Sequence, residues 1–169
     1  MTSGNHTPEI LLRETTAEDL TYIKRLNYLA EVFGEESTTP DSQGFLASAR
    51  FYVDAWRAKQ GGFIAMDTSL DNPAGGVWII EGDDDLHGTG YVSADIPELA
   101  IAVEKRYQGH KLGPRLIQAA TELARERGFA GISLAVNLDN TRAHRLYERL
   151  GFVFHAERED NHIAMVRRF

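Results

Sequence analysis

The pattern of apolar and polar positions is most regular between Leu112 and Arg127. Leu112, Leu116, Ala120 and Leu123 recur near every fourth position, Ile117, Ala119 and Ala124 widen the stripe, and Glu122, Arg125, Glu126 and Arg127 fall opposite it. This is the repeat of an amphipathic helix with one buried face, and Gly128 supplies its stop. A second stripe, Leu20, Ile23, Tyr28 and Leu29, predicts a helix from Glu18 to Val32, opened by the helix-start run Thr15-Thr16-Ala17-Glu18-Asp19. Residues Gly34 to Gly44 are polar, contain Pro40 and read as a loop. Phe45 to Lys59 resumes helical character around Phe51, Val53, Ala55 and Trp56 with a weaker period, and Gly61-Gly62 ends it.

Short runs bounded by turn residues predict the strands. Ile10 to Arg13 is the first; Phe63 to Met66 and Gly76 to Glu81 form a hairpin around Asp71-Asn72-Pro73. The acidic turn Glu81-Gly82-Asp83-Asp84-Asp85 then leads through His87-Gly88-Thr89-Gly90 to Glu98-Leu99-Ala100-Ile101-Ala102-Val103, a mostly apolar run expected at the centre of the sheet. Ile132 to Val136 is a buried strand and Thr141 to Arg149 a short helix ended by Gly151; Phe152 to Ala156 and Ile163 to Arg168 close as a hairpin around Glu159-Asp160-Asn161. There is no internal repeat. The order of elements predicts an α/β fold, a mixed sheet with helices on both faces.

Composition narrows what this fold can do. The 169 residues, 43% hydrophobic, suit a single domain over the whole chain. The absence of cysteine excludes a disulfide framework, a thiolate nucleophile, an acyl-cysteine intermediate and Cys-rich metal sites. No apolar run reaches membrane-helix length, and Met1-Thr2-Ser3-Gly4-Asn5-His6-Thr7-Pro8 has neither a positive patch nor an apolar run, so a cytoplasmic protein without a membrane partner is expected. Lys plus Arg number 18 against 25 Asp plus Glu, a net charge of -7, which argues against nucleic acid as a partner. Against that background Lys105, Arg106, His110, Lys111 and Arg115 cluster, a pattern that suits a small anionic ligand.

The cluster lies where the Glu98 strand passes into the Leu112 helix. Such a junction aims free backbone N–H groups and the positive helix end at one spot, a ready site for pyrophosphate. Gly109 and Gly113 allow a ligand close to the main chain, and Pro114 fits early in a helix, where no intrahelical bond is lost.

Two motifs here carry a resemblance. The turn reads Gln108-Gly109-His110-Lys111-Leu112-Gly113, close to Q/R-x-x-G-x-G/A with Lys111 in place of the first glycine of that pattern. Downstream, Asn137, Asn140, Ala143, Leu146, Tyr147, Gly151 and Phe152 complete N-x-x-N-x-x-A-x-x-L-Y-x-x-x-G-F. From Glu98 to Val153, about a third of the chain, the sequence resembles the core of the GNAT (GCN5-related N-acetyltransferase) superfamily, and the order of elements extends the likeness over nearly all of it. The resemblance implies the acyl-CoA N-acyltransferase fold, with a mostly antiparallel sheet. It also implies acetyl-CoA as acyl donor, no metal, and a small-molecule or peptide amine as acceptor; many relatives form homodimers, although no surface of this chain is marked for pairing.

The roles it implies are specific. Acyl-CoA would lie where the Ile101 and Ile132 strands splay apart. Its pantetheine arm would bond main-chain groups of Ile101, Ala102 and Val103, and its diphosphate would sit over Gln108, Gly109, His110, Lys111, Leu112, Gly113 and Pro114. Lys111 either bonds the phosphate or points to solvent. Asn140 and Ala143 would border the arm, while Asn140 also suits a cap of the Thr141 helix. Tyr147 would be the general acid at the departing thiolate; the alternative is a core aromatic. Glu98 would take the proton of the amine, directly or through water, unless it is an exposed strand-end carboxylate. Acceptor specificity would reside in Phe33 to Phe51 and Gly82 to Asp95. Glu81, Asp83, Asp84, Asp85 and Asp95 either attract a cationic acceptor or are solvated surface.

Other chemistries find little support. His87 lacks the spacing of a metal site, and Ser133 lies in a strand pattern with no G-x-S-x-G elbow. The rival to an enzyme is a non-catalytic acyl-CoA-binding or regulatory domain with the same fold.

Overall fold

The computed structural model describes residues 7–32 and 42–169. Strands β1 (Ile10–Glu14), β2 (Gly62–Asp67), β3 (Asn72–Ile80), β4 (Glu98–Val103), β5 (Gly131–Asn137), β6 (Val153–Glu157) and β7 (His162–Arg168) form one seven-stranded sheet, in the order β1-β2-β3-β4-β5-β7-β6. All neighbours run antiparallel except β4 and β5, so the sheet is mixed and mostly antiparallel. The closing hairpin inserts its second strand: β7 pairs along the whole of β5 and leaves β6 at the edge, where Val153 and Phe154 are exposed.

Helices α1 (Leu20–Glu31), α2 (Ser42–Ala49), α3 (Leu112–Glu126) and α4 (Thr141–Arg149) flank the sheet. Helix α1 follows a short 3-10 turn whose capping box is complete. The side chain of Thr16 accepts from the Glu18 N–H at 3.3 Å, and Asp19 accepts from the Thr16 N–H at 2.7 Å. Helix α3 buries Leu112, Leu116, Ile117, Ala120 and Ala124 of the stripe its period predicts, together with Thr121, while Ala119 and Leu123 are half-buried.

The helix predicted over 45–59 is not continuous. It begins earlier, at Ser42, within the stretch read as loop, while most of that loop and of the segment from Phe33 lies outside the described residues. After Ala49 the chain widens into a π-helical turn, Arg50–Asp54, in which the Ala55 N–H reaches back to the Arg50 carbonyl at 3.0 Å. The cause is packing. Phe51 and Val53 would stand on opposite sides of an α-helix, yet both are buried, with Trp56, against α1 and β3.

Two cores result, one on each face of the sheet. Helices α3 and α4 pack on one face; α1 and the π-helical turn pack on the other. Side chains along β4 alternate between them: Leu99, Ile101 and Val103 belong to the first face and Ala100 and Ala102 to the second. By the same alternation Glu98 points to the second. Just beyond β4, Glu104 accepts from Tyr22 (3.0 Å) and from Arg25 (2.7 and 2.8 Å), which ties α1 to the start of the turn before α3. No helix among the described residues is long and apolar enough to cross a membrane.

Candidate functional site

The parallel pair at the centre of the sheet is barely formed. Its register contains one pair, Glu98 with Ser133, and the Ser133 N–H bonds the Pro97 carbonyl at 3.0 Å; beyond that point β4 and β5 part. Two parallel strands that diverge leave main-chain groups without a ladder partner, which is costly when buried unless a ligand or water satisfies them. A cavity of about 1240 Å³ occupies the opening. Its walls come from both faces of the sheet, with Ile101, Leu146 and Tyr147 on one side and Tyr52, Glu98 and Ala100 on the other.

The turn after β4 forms one rim. The Tyr107 hydroxyl donates to Asp67 at 2.7 Å and pins the turn to the end of β2. The Gln108 N–H bonds the Lys105 carbonyl at 3.2 Å and so is taken; the N–H groups of the first turn of α3 have no acceptor within their helix. Gly109 has φ 87° and Lys111 φ 59°, both in the left-handed region. Glycine reaches that region without strain, which explains why the motif favours it at Lys111. A Cβ at Gly113 would lie 3.3 Å from Leu146 of α4, so this glycine keeps the cleft between the helices open. Gln108, Gly109, Lys111, Leu112, Gly113 and Pro114 line the cavity; His110 does not.

Across the opening, Asn140 caps α4 by accepting from the Ala143 N–H at 3.3 Å, and both residues line the cavity. Tyr147 packs edge-on against Phe152, with ring centres 6.2 Å apart. The residue is half-buried, and its hydroxyl has no hydrogen-bond partner among the described residues. Burial pushes its pKa up to about 12. A core-packing role accounts for the ring and leaves the O–H free at the cavity wall.

Glu98 is not an exposed strand end: it is 2% exposed. One carboxylate oxygen, Oε2, accepts a short hydrogen bond from the Tyr52 hydroxyl, whereas Oε1 is buried without a partner. Burial is the largest influence on its pKa and raises it to about 8, against the opposing pull of Tyr52, the Gly90 N–H and the charge of Arg158. The segment Gly88 to Gly90 lies directly over this pair. A Cβ on Gly88 would come within 2.5 Å of both Glu98 Oε1 and the Tyr52 hydroxyl, and one on Gly90 within 2.5 Å of the Leu134 backbone. These two glycines are required by close approach.

Several wall residues carry no local sequence signal. Asn27, on α1, is buried with its side-chain nitrogen unpaired, while its oxygen accepts weakly from Ser48 at 3.4 Å. Tyr52, Thr89, Arg142, Arg149 and Arg158 line the same cavity. The acidic turn does not. Asp83 accepts from the Asp85 and Leu86 N–H groups (2.9 and 2.7 Å), Asp84 from Tyr91 (3.1 Å) and Asp95 from Ser93 (2.5 Å), so these carboxylates serve their own loop. His87 lines the cavity and stacks on Tyr91 at 4.5 Å. No cluster of His, Cys, Asp or Glu suited to a metal occurs among the described residues.

Residues 27–152 match the sequence model of the acetyltransferase (GNAT) family. N-alpha-acetyltransferase 30 of Schizosaccharomyces pombe is 33% identical over 107 residues, covering 61% of this chain and 63% of the relative. Mycothiol acetyltransferase of Rhodococcus erythropolis is 36% identical over 105 residues, covering 59% of this chain and 32% of the relative. The chain thus spans less than two thirds of the length of the curated relatives it matches. Among solved structures, the PaiA N-acetyltransferase from Thermoplasma acidophilum in complex with coenzyme A superposes with TM-score 0.65 at 14% identity, over 95% of this chain and 99% of that one. That likeness supports the fold.

Proposed function

Because the chain belongs to the GNAT acetyltransferase family, we propose that it transfers the acetyl group of acetyl-CoA to a primary amine by direct attack in a ternary complex. The observation that carries the proposal is the opening between β4 and β5. It is flanked on one face by a buried carboxylate with an unpaired oxygen and on the other by a half-buried phenol with a free hydroxyl.

In this reading the pantetheine arm lies along the unpaired edge of β4 and bonds main-chain groups of Ile101, Ala102 and Val103. The diphosphate rests on the N–H groups that open α3, with Gly109 and Gly113 keeping the approach clear. Lys111 stands at that rim to add a charge-assisted bond. The cap at Asn140 engages only its oxygen, so its nitrogen is left for the arm. Main-chain N–H groups near Ile101 to Val103 polarise the thioester carbonyl. Glu98 takes one proton from the ammonium group, and the nitrogen attacks the thioester carbon. The intermediate collapses with breaking of the C–S bond, Tyr147 donates a hydrogen bond to the departing thiolate, and the second proton of the nitrogen passes to that sulfur to give CoA thiol.

The test uses acetyl-CoA with four acceptor probes: a polyamine, an aminoglycoside, lysine and a peptide with a free N-terminus. At least one is expected to release CoA thiol in step with acetylated amine, and varying both substrates should give intersecting double-reciprocal lines. Parallel lines would contradict direct attack. Tight binding of acetyl-CoA with none of the four acetylated would favour a non-catalytic acyl-CoA-binding domain.

A further inference from the structure

Glu98 does not stand alone. A chain of hydrogen bonds runs to it from the turn between β6 and β7, on the far side of the cavity. The Arg158 guanidinium donates to the Thr89 carbonyl at 3.0 Å and to the Tyr91 carbonyl at 2.8 Å, so it grips the segment that covers the carboxylate. The N–H of the same Thr89 donates to the Tyr52 oxygen at 3.2 Å. A hydroxyl that accepts from one side must aim its own proton elsewhere, and the Tyr52 proton goes to Glu98 Oε2. That occupies Oε2 and leaves Oε1 buried without a partner beneath Gly88, on a residue that lines the cavity.

We propose that Tyr52 is the positioning residue for Glu98, and that Arg158, acting through Thr89, fixes the direction of the Tyr52 hydroxyl so that Oε1 alone receives the proton of the acceptor amine. This rests on the reading of Glu98 as the base. It adds two residues, each distant from Glu98 in sequence, and it couples the base to the β6–β7 turn.

The expected consequence is a pH signature. Tyr52 and Arg158 are the titratable groups that act on Glu98; its neighbours across the strands, Ile80 and Ser133, carry no charge. Both groups favour the ionised carboxylate: Tyr52 by its hydrogen bond, Arg158 by its charge. Without the Tyr52 hydroxyl, Glu98 keeps its proton to higher pH, so the rising limb of the rate profile moves up. Rates at neutral pH fall, and rates well above the limb recover. A general loosening of the site would instead lower the rate by the same factor at every pH.

The experiment compares wild type, Tyr52→Phe, Arg158→Gln and Glu98→Gln with acetyl-CoA and whichever of the four probes the wild type acetylates fastest. Tyr52→Phe is expected to lose about tenfold at pH 7 and less than about twofold at pH 9.5, with KM for acetyl-CoA unchanged. Arg158→Gln should move the limb the same way by less. Titration of a 13C-labelled Glu98 carboxyl needs no turnover and should show the same upward movement in Tyr52→Phe. A limb lost in Glu98→Gln but unmoved in Tyr52→Phe, or a carboxyl midpoint that stays put in the folded variant, overturns the inference alone. A limb that survives in Glu98→Gln overturns the base assignment beneath it.

Discussion

Glu98→Gln is expected to lower kcat by about 10²–10⁴-fold, the usual range for losing a positioned general base, and to abolish the rise in rate near pH 8 that its raised pKa predicts. The sign follows from which form works. The base must be ionised, burial holds it protonated to about pH 8, and activity therefore grows as pH climbs through that value. Glutamine keeps the shape and a carbonyl oxygen for Tyr52 to bond but accepts no proton. What remains should depend only on the amine's own ionisation, so its pH midpoint should track the pKa of whichever amine is supplied. In the wild type, the midpoint of kcat should stay near 8 across amines of different basicity. A wild-type midpoint that moves with the amine, or a glutamine variant with an unaltered profile, would return Glu98 to a structural role.

Tyr147→Phe is expected to cost less, and the reason is quantitative. Burial holds the phenol near pKa 12, well above the ordinary thiol value of about 8.5. Full proton transfer to the departing thiolate is therefore uphill, and the main contribution is a hydrogen bond to developing charge, worth about 1.5–3 kcal/mol or roughly 10–10²-fold in kcat. Affinity for acetyl-CoA should hardly change, because the bond strengthens only as the sulfur becomes anionic. The loss should also shrink with an acyl donor whose thiol leaves as a more stable anion. Equal turnover by wild type and variant would remove Tyr147 from the chemistry.

Much of this site is legible along the chain, because its parts on β4, α3 and α4 are local. The stripe from Leu112 to Ala124 fixes the helix, the apolar run Leu99 to Val103 fixes the central strand, and the spacing from Asn137 to Phe152 places Tyr147 one helix away from both. Glu98 is only half legible. A glutamate opening a strand is as compatible with solvent as with burial, and what buries Glu98 arrives from elsewhere: Tyr52 from the turn after α2, and the segment Gly88 to Gly90 laid across it. Neither contact has a local period. Gly88 and Gly90 do leave a trace in His87-Gly88-Thr89-Gly90, but glycine marks an ordinary turn as readily as a close approach. The π-helical turn at Arg50–Asp54 is hidden for a related reason, since only packing against α1 and β3 forces Phe51 and Val53 inward together. The place of β7 between β5 and β6 is likewise a matter of pairing that the alternation of each strand does not encode.

The chemistry depends on where the thioester lies, and a crystal structure of the protein with coenzyme A tests that most directly. The expected result has the diphosphate over the start of α3 near Gly109 and Gly113, the pantetheine arm along the free edge of β4, and the sulfur within hydrogen-bond reach of the Tyr147 hydroxyl. Coenzyme A bound elsewhere, with β4 and β5 paired beyond Glu98 and Ser133, would contradict it.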